Sequence, residues 1–307
     1  MKYLAIVGFL LSVLSTYAAQ AVTVSSGTLT TLTTFKSQFV THRNIHIWLP
    51  DGYSENYAYD VLYMHDGQML FDANTTWNKQ EWGIDEVAAK LIAENKVNPF
   101  IVVGIDNDAE TRHSDYFPQT PFNTLTKKQQ ETAFLAKRDA DTLILKHPIN
   151  SDNYLKFLVT ELKPYIDSTY SVDGSVNSTF ILGSSMGGLI SMYAISEYPK
   201  VFGGAACLST HWPGVAPHKG NPIPDAFAQY MSKSLPGPKS HKIYFDYGDQ
   251  TLDAFYPPLQ KKIDKVIREK GYTETHWQTL FFKDHNHSED AWRSRLDKPL
   301  LFLLGKK

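Results

Sequence analysis

Two serines stand among glycines at residues 180–192, which read FILGSSMGGLISM. The apolar residues before Gly183 predict a buried strand and those after Met186 predict a helix, so the stretch between them is predicted to be a tight turn. Glycines at its two ends allow close backbone approach, and the central Ser185 would take a strained conformation that projects its hydroxyl. The pattern Gly-x-Ser-x-Gly at this place predicts that Ser185 is a catalytic nucleophile; a plain connecting corner is the alternative.

A serine hydroxyl is a weak nucleophile, so it needs a histidine as general base and a carboxylate that orients the histidine. For a nucleophile on a strand-to-helix turn, the usual chain order is serine, then Asp or Glu, then His. The acid is expected after the predicted strand 243–247, where Asp249 and Asp253 stand, and Asp246 within that strand is a further candidate. Each also has a structural alternative: Asp246 as a hydrogen-bonded core residue, Asp249 as a turn former and Asp253 as a helix cap.

The base is expected after the last predicted strand, 277–282, where two histidines stand in His285-Asn286-His287. Paired histidines can also bind a metal ion, but no cysteine and no convincing third ligand lies near them in the sequence. One histidine as the base and the other as a loop residue is the simpler interpretation. The sequence therefore predicts neither a metal nor an organic cofactor.

Apolar strand-like segments alternate with amphipathic helix-like segments along the chain. An outer strand is predicted at 44–49, and buried parallel strands are predicted at 59–64, 100–105, 179–182, 203–208 and 243–247. Helices are predicted at 84–95, 153–168, 187–197, 258–270 and 289–304. The alternation predicts an α/β fold with a mostly parallel central sheet and helices on both faces.

The chain from residue 22 to residue 307 is predicted to form a single domain, because no internal repeat or low-complexity linker divides it. The polar stretch 107–150 lacks a clean strand pattern and is predicted to be an insertion that lies over one end of the sheet. Residues 23–34, rich in Ser and Thr, are predicted to be a ragged start or an edge strand.

The composition excludes some classes of protein. With 307 residues, 42% of them hydrophobic, the chain can bury a large core, so extensive disorder is not expected. Thirty Lys and Arg balance 32 Asp and Glu, and no basic run precedes an aromatic platform. Nucleic acid is therefore not expected as a partner.

Residues 1–21 have the three parts of a secretory signal peptide: Lys2 at the start, an apolar centre at 5–14, and the cleavage pattern Ala19-Gln20-Ala21. The apolar centre is too short to span about 30 Å of hydrocarbon, so stable membrane insertion is not expected. Cleavage would leave Cys207 as the only cysteine, so export would not depend on disulfides. The sequence predicts a bacterial protein that is periplasmic or secreted.

Four segments, the serine turn among them, resemble the signatures of one family. They read YMHDGQMLF at 63–71, WGIDE at 82–86, GSSMGG at 183–188 and HSEDAWRSRL at 287–296. From about residue 40 to the C terminus, the chain resembles the putative-esterase family of α/β-hydrolases, which includes enterochelin, feruloyl and acetyl-xylan esterases, esterase D and mycolyltransferases. The resemblance implies the α/β-hydrolase fold and serine hydrolase chemistry.

The resemblance also implies a choice among the acid and base candidates. This branch of the family carries His-Asn-Glu-x-x-Trp at the base, which is similar to residues 287–292 and implies His287 rather than His285. It carries Gly-Thr-Glu-Thr-Leu-Asp after the acid strand, which is similar to residues 248–253 and implies Asp253. Asp249 stands where the family has threonine, so it remains the alternative acid.

The tetrahedral intermediate carries a negative charge on its oxygen. An oxyanion hole is therefore needed, in which backbone amides stabilise this charge by hydrogen bonds. The resemblance implies that the amides of Gln68 and Met186 supply it. His65 and Asp66 are then expected to shape the loop that carries Gln68.

Three further residues are expected beside the substrate pocket. Arg112 begins a segment that is similar to the family's Arg-x-x-Glu-Tyr-x-Pro, and it is expected either to bind a substrate carboxylate or to hold its loop through Asp115. His211 and Trp212 follow the strand after the serine turn and are expected to be pocket walls.

These observations together imply an exported esterase that hydrolyses a carboxylic ester, either a small molecule or an ester attached to a polysaccharide. Ser185, His287 and Asp253 would act through an acyl-enzyme. Two alternatives remain: an acyltransferase on the same fold, and a non-catalytic binding protein that retains the fold. The presence of all three residues in the expected order argues against the second.

Overall fold

The computed structural model describes residues 21–306, so the predicted signal peptide, apart from Ala21, lies outside the described residues. Eight strands form one sheet in the order β1-β2-β4-β3-β5-β6-β7-β8. Their bounds are Thr28–Phe35 (β1), Arg43–Leu49 (β2), Asp60–His65 (β3), Phe100–Ile105 (β4), Thr179–Ser184 (β5), Gly204–Leu208 (β6), Lys242–Tyr247 (β7) and Trp277–Phe281 (β8). β3 to β8 are parallel, and β1 and β2 form an antiparallel edge.

The central strands are buried along their whole length because helices cover both faces of the sheet. Every residue of β4, β5 and β6 is buried. Side chains of β3 alternate between the faces: Val61 and Tyr63 pack into one core cluster, and Leu62 and Met64 pack into the other. The predicted fold class, a mostly parallel sheet between layers of helices, is confirmed.

The α-helices of the described residues are Ile84–Ala93 (α1), Arg112–Tyr116 (α2), Gln119–Asn123 (α3), Lys127–Phe134 (α4), Ser151–Phe157 (α5), Lys163–Thr169 (α6), Met186–Glu197 (α7), Ile223–Ser234 (α8), Pro257–Glu269 (α9), Glu289–Arg293 (α10) and Asp297–Leu304 (α11). A π-helical turn, Leu158–Leu162, joins α5 to α6, so the helix predicted at 153–168 is one continuous segment. The stretch 107–150 contributes α2, α3 and α4.

The sequence predicted no helix at α2, α3 or α4, and two other places also differ from the predictions. The sequence did not predict α8, whose first turn contains proline; proline is tolerated there because the first amides of a helix have no intrahelical partner. The single helix predicted at 289–304 is two helices, α10 and α11. Pro299 explains the break, since it has no amide to donate to the carbonyl of Arg295 and its ring would clash with that carbonyl.

The direction of the strands places the candidate residues together. β3, β5, β6, β7 and β8 run in the same direction, so their carboxyl ends meet at one edge of the sheet, where ligands of open α/β sheets bind. Gln68, Ser185, Asp253 and His287 all lie in the connections that leave this edge. Within residues 21–306, no helix has the length and apolar character needed to cross a membrane.

Candidate active site

Ser185 lies on a sharp turn between β5 and α7. Its backbone has φ 57° and ψ −120°, a conformation that residues with a side chain rarely adopt, and its amide donates to the Leu208 carbonyl at 2.9 Å. A Cβ on Gly183 would come within 2.7 Å of the carbonyl carbon of Gly187, so the turn can close only with glycine at 183. The Ser185 side chain is half-buried and its hydroxyl has no hydrogen-bond partner among the described residues.

His287 and Asp253 form a short hydrogen bond of 2.6 Å between Nδ1 and Oδ1. A carboxylate only accepts hydrogen bonds, so Nδ1 carries the proton, and in a neutral imidazole Nε2 is then free to accept one. The backbone amide of His287 donates to Thr251 Oγ1 at 2.9 Å, and the Trp292 ring packs edge-on at a centroid distance of 5.0 Å. These contacts fix the orientation of the imidazole.

The second carboxylate oxygen of Asp253 accepts from Ser209 Oγ at 2.6 Å and from the Gly248 amide at 2.7 Å. Asp253 is fully buried. Burial alone would raise its pKa, but the hydrogen bonds from His287, Ser209 and Gly248 outweigh burial and hold the pKa below its usual value. Asp253 is therefore ionised at neutral pH.

A buried polar network contacts Asp253, and the sequence analysis did not predict it. Ser209 Oγ accepts from Trp292 Nε1 at 3.0 Å and from Arg295 Nη2 at 2.9 Å. Both groups can only donate, so the Ser209 hydroxyl proton must point to Asp253. Arg295 also donates to Asp246 at 2.9 Å, and both side chains are fully buried. The position of Ser209 directly after β6, at the edge where the other candidates lie, is the only sequence signal that could have indicated it.

The other acid and base candidates have different contacts. Asp246 binds Arg295 and accepts from the Ser209 amide at 3.2 Å, inside the core. Asp249 Oδ1 accepts from the amide of Asp284 at 2.8 Å and from the side chain of Gln250, within a turn. His285 Nδ1 lies 3.3 Å from Arg295 Nη1. The structure thus brings Asp253, and neither Asp246 nor Asp249, into contact with His287.

Gln68 lies on a tight turn that follows β3. Asp66 has φ 60°, and a Cβ on Gly67 would lie 2.7 Å from the Ile105 amide nitrogen, so the turn packs directly on β4. Neither the Gln68 amide nor the Met186 amide donates to another backbone group within the described part of the chain. Met186 is the first residue of α7, whose amino end favours negative charge.

Arg112 binds Asp66, in the turn that carries Gln68. One alternative had expected it to bind Asp115 instead. Its guanidinium binds Asp66 with two hydrogen bonds of 2.8 Å, and Asn107 Nδ2 adds a third at 2.7 Å. Burial would raise the pKa of Asp66, but Arg112 outweighs burial and lowers it. Asp115 instead binds Arg43 at 3.1 Å. Because Arg112 also borders the cavity described below, its other expected role as a substrate contact is compatible with this geometry.

His211 and Trp212, expected as pocket walls, lie buried behind the cavity rather than along it. Nδ1 of His211 lies 2.8 Å from the Tyr256 hydroxyl, and burial lowers the pKa of His211 to about 3. Trp212 Nε1 donates to Gln260 at 2.8 Å. These hydrogen bonds hold His211 and Trp212 in the core, away from the cavity. His65 is also buried, with Nδ1 2.8 Å from the Tyr154 hydroxyl, and burial lowers its pKa to about 3.

Ser185, His287 and Gln68 line one cavity of about 640 Å³, large enough for an ester that carries a ring. Two walls enclose it. One consists of the connection after β3 and the start of α10, and the other is the stretch 107–150. In the part of the chain that the structure describes, no three His, Cys, Asp or Glu side chains converge as a metal site requires.

Known proteins with a similar chain include Uncharacterized protein YbbA of Bacillus subtilis (strain 168), which is 23% identical over 273 residues that cover 86% of this chain and 94% of that protein. Solved structures with a similar fold include a ferulic acid esterase, with a TM-score of 0.63, 18% identity, and 90% and 98% of the two chains covered. An enterobactin esterase from Shigella flexneri has a TM-score of 0.62 and 16% identity, over 92% of this chain and 60% of that one.

The model of the family described as Putative esterase matches residues 37–303, nearly all of the described chain. The similarity to the solved structures agrees with this match at the level of the fold. The chain therefore belongs to the putative esterase family, a family of carboxylic ester hydrolases with the α/β-hydrolase fold.

Proposed function

We propose that this protein hydrolyses a carboxylic ester with Ser185 as nucleophile, His287 as general base and Asp253 as the residue that orients the base. The observation that carries the proposal is the 2.6 Å contact between His287 Nδ1 and the buried, ionised Asp253, beside a cavity that Ser185 also lines. In the neutral imidazole, this contact places the proton on Nδ1 and leaves Nε2 free to accept one, as a base must. Long nucleophile-to-base distances are common without substrate, so the unpartnered Ser185 hydroxyl is compatible with this role.

The reaction has two halves. Ser185 Oγ attacks the ester carbonyl carbon while its proton passes to His287 Nε2, and the carbonyl oxygen becomes an oxyanion that the amides of Gln68 and Met186 stabilise. The intermediate collapses, the C–O bond to the alcohol breaks, and His287 returns the proton to the leaving alcohol. Water then attacks the acyl-enzyme by the same path, which releases the acid and regenerates Ser185.

We also propose that the protein is exported from the cytoplasm. The amino-terminal residues 1–21 have the composition of a secretory signal peptide, which supports export to the periplasm or the medium. The proposed substrate is a small-molecule or polysaccharide-linked ester.

The direct test is the Ser185→Ala variant with p-nitrophenyl acetate as substrate. Its kcat/KM is expected to fall at least about a thousandfold, because the residual rate would come from the oxyanion hole and binding alone. A fluorophosphonate probe should label the parent protein and not the variant. Ser196→Ala is a control, since Ser196 lies on α7, does not border the cavity, and donates its hydroxyl to the Met192 carbonyl at 2.9 Å. Retained hydrolysis and labelling in Ser185→Ala would refute the proposal.

A further inference from the structure

Trp77 is exposed far more than any other large apolar side chain at the cavity. It is 85% exposed, compared with 37% for Leu143 in the same cavity and 73% for Leu135 elsewhere on the described surface. Leaving an indole in water forgoes roughly 2 to 3 kcal/mol of burial free energy, so an exposed tryptophan beside a cavity suggests a surface that a ligand covers.

The loop that carries Trp77, residues 72–81, is fixed in place. Glu81 Oε2 accepts from the Ala73 amide at 2.7 Å, which closes the loop on itself. Arg293 of α10 donates to Glu81 at 2.6 Å, and Asn78 donates to Glu289 at 2.8 Å. Trp77 therefore projects from a preorganised loop, which lowers the entropic cost of binding.

The same cavity brings Trp77 together with Ser185 and with polar groups that retain hydrogen-bonding capacity. Asn78, Gln80 and Glu289 also line it. The side-chain nitrogen of Gln80, Nε2, and Glu289 Oε1 have no partner among the described residues, so they can bind hydroxyl groups. An apolar ring face beside free amide and carboxylate groups suits a ligand ring with a flat apolar face and hydroxyls at its edge.

The charges around the cavity balance. Three lining residues are anionic: Asp66, Glu110 and Glu289. Three are cationic: Arg112, Arg138 and Lys146. Arg112 is neutralised by Asp66, and Lys146 binds Glu110 at 2.9 Å. A cavity that selects a polyanion needs a net positive potential, which this set does not give. The balance favours an uncharged ligand.

We propose that residues 72–81 form a ring-binding subsite of the active site, in which Trp77 stacks on an uncharged hydroxylated ring of the ester substrate while Asn78, Gln80 and Glu289 bind its hydroxyls. This inference rests on the proposed esterase function, since it takes the ring to be part of the ester cleaved at Ser185. A sugar ring on the alcohol side and a phenol ring on the acyl side share this chemistry.

The test compares three uncharged esters with the parent protein, Trp77→Ala and Trp77→Phe. Methyl 4-hydroxycinnamate carries a phenol ring, methyl 6-O-acetyl-glucopyranoside carries a sugar ring, and methyl acetate carries no ring. We expect Trp77→Ala to raise KM for at least one ring ester about tenfold, to affect methyl acetate much less, and to leave kcat nearly unchanged. Trp77→Phe should restore most of the affinity. The ester that responds identifies the ring.

Tyr57→Ala is the matched control, because Tyr57 is an exposed aromatic residue before the amino end of β3, away from the catalytic edge. Equal losses for ring esters and methyl acetate in Trp77→Ala, or no loss for either ring ester, would overturn the inference. Calorimetric binding of the two ring esters to Ser185→Ala gives a readout without turnover. If the parent protein cleaves no ester, the proposed function fails, and Trp77-dependent binding to Ser185→Ala still decides the subsite.

Discussion

At the scale of single residues, the orientation of Asp253 depends on a hydroxyl that is not itself part of the candidate triad. Ser209 uses its whole hydrogen-bonding capacity: it donates to Asp253 and accepts from Trp292 and Arg295. Its backbone has φ 40°, an uncommon conformation for serine that the surrounding contacts must hold. Because two fixed donors set the direction of its proton, Ser209 helps to keep Asp253 ionised and directed at His287.

Ser209→Ala is therefore expected to lower kcat for ester hydrolysis about tenfold, the effect of losing one hydrogen bond to a charged group, with KM changed less than about twofold. The downfield proton resonance of the His287 Nδ1–H group should also move, which a purely structural role would not cause. Ser196→Ala should alter neither quantity. Unchanged kcat and an unmoved resonance in folded Ser209→Ala protein would contradict a positioning role.

At the scale of elements, α2 and the turn after β3 act as one unit. Arg112 is on α2, yet its guanidinium binds the carboxylate of Asp66 in the turn that carries Gln68. A bidentate ion pair fixes both distance and angle, so α2 determines where the Gln68 amide lies. With Gln68 in the proposed oxyanion hole, this connection would give the stretch 107–150 a role in catalysis as well as in forming the cavity wall.

Arg112→Met is expected to lower kcat about ten- to a hundredfold, approaching the loss of one oxyanion-hole donor, which is about 3 kcal/mol. The variant also leaves Asp66 buried without its cation, so the melting temperature should fall. Lys163→Met is the comparison, since it breaks another partly buried ion pair, with Asp167 at 2.7 Å, far along the chain from the site. Lys163→Met should lower the melting temperature without a comparable loss of kcat. If Arg112→Met also lowers only the melting temperature and leaves kcat unchanged, the role of α2 is contradicted.

At the scale of the whole molecule, buried histidines make the fold sensitive to acid. Burial lowers the pKa of His65 and His211 to about 3, whereas both titrate near 6.5 in the unfolded chain. As the pH falls below 6.5, the unfolded chain takes up protons that the folded protein excludes, so stability is lost progressively toward pH 3. Asp66 and Asp253, whose pKa values are lowered, add to the loss below about pH 4.

The free energy of unfolding is therefore expected to be smaller at pH 5 than at pH 7, by roughly 2 kcal/mol for each of these two histidines. Urea denaturation at the two pH values measures the difference. His211→Gln should reduce the pH dependence, and His218→Gln should not, because His218 is exposed. Equal unfolding free energies at both pH values would contradict this account.

Features that depend on local patterns could be predicted from the amino-acid sequence. The strand-to-helix turn around Ser185 follows from glycine spacing and apolar runs, and the parallel sheet follows from the alternation of strands and helices. The predicted strand 100–105 agrees with β4 to the residue, because Pro99 and Asp106 bound an apolar run of strand length that is rich in β-branched residues. The candidate base His287 came from a similarity to known signatures, which also reflects local sequence.

Features that depend on contacts between distant segments became visible in the folded chain alone. Asp249 and Asp253 are four residues apart, and the path of the backbone after β7 brings only Asp253 to His287. Arg112 and Asp66, and Ser209 and Arg295, are each separated by more than forty residues and meet through the parallel sheet. His211 and Trp212 turn into the core for the same reason. Sequence spacing carries no information on such pairs, because their distance is set by how the helices pack on the sheet.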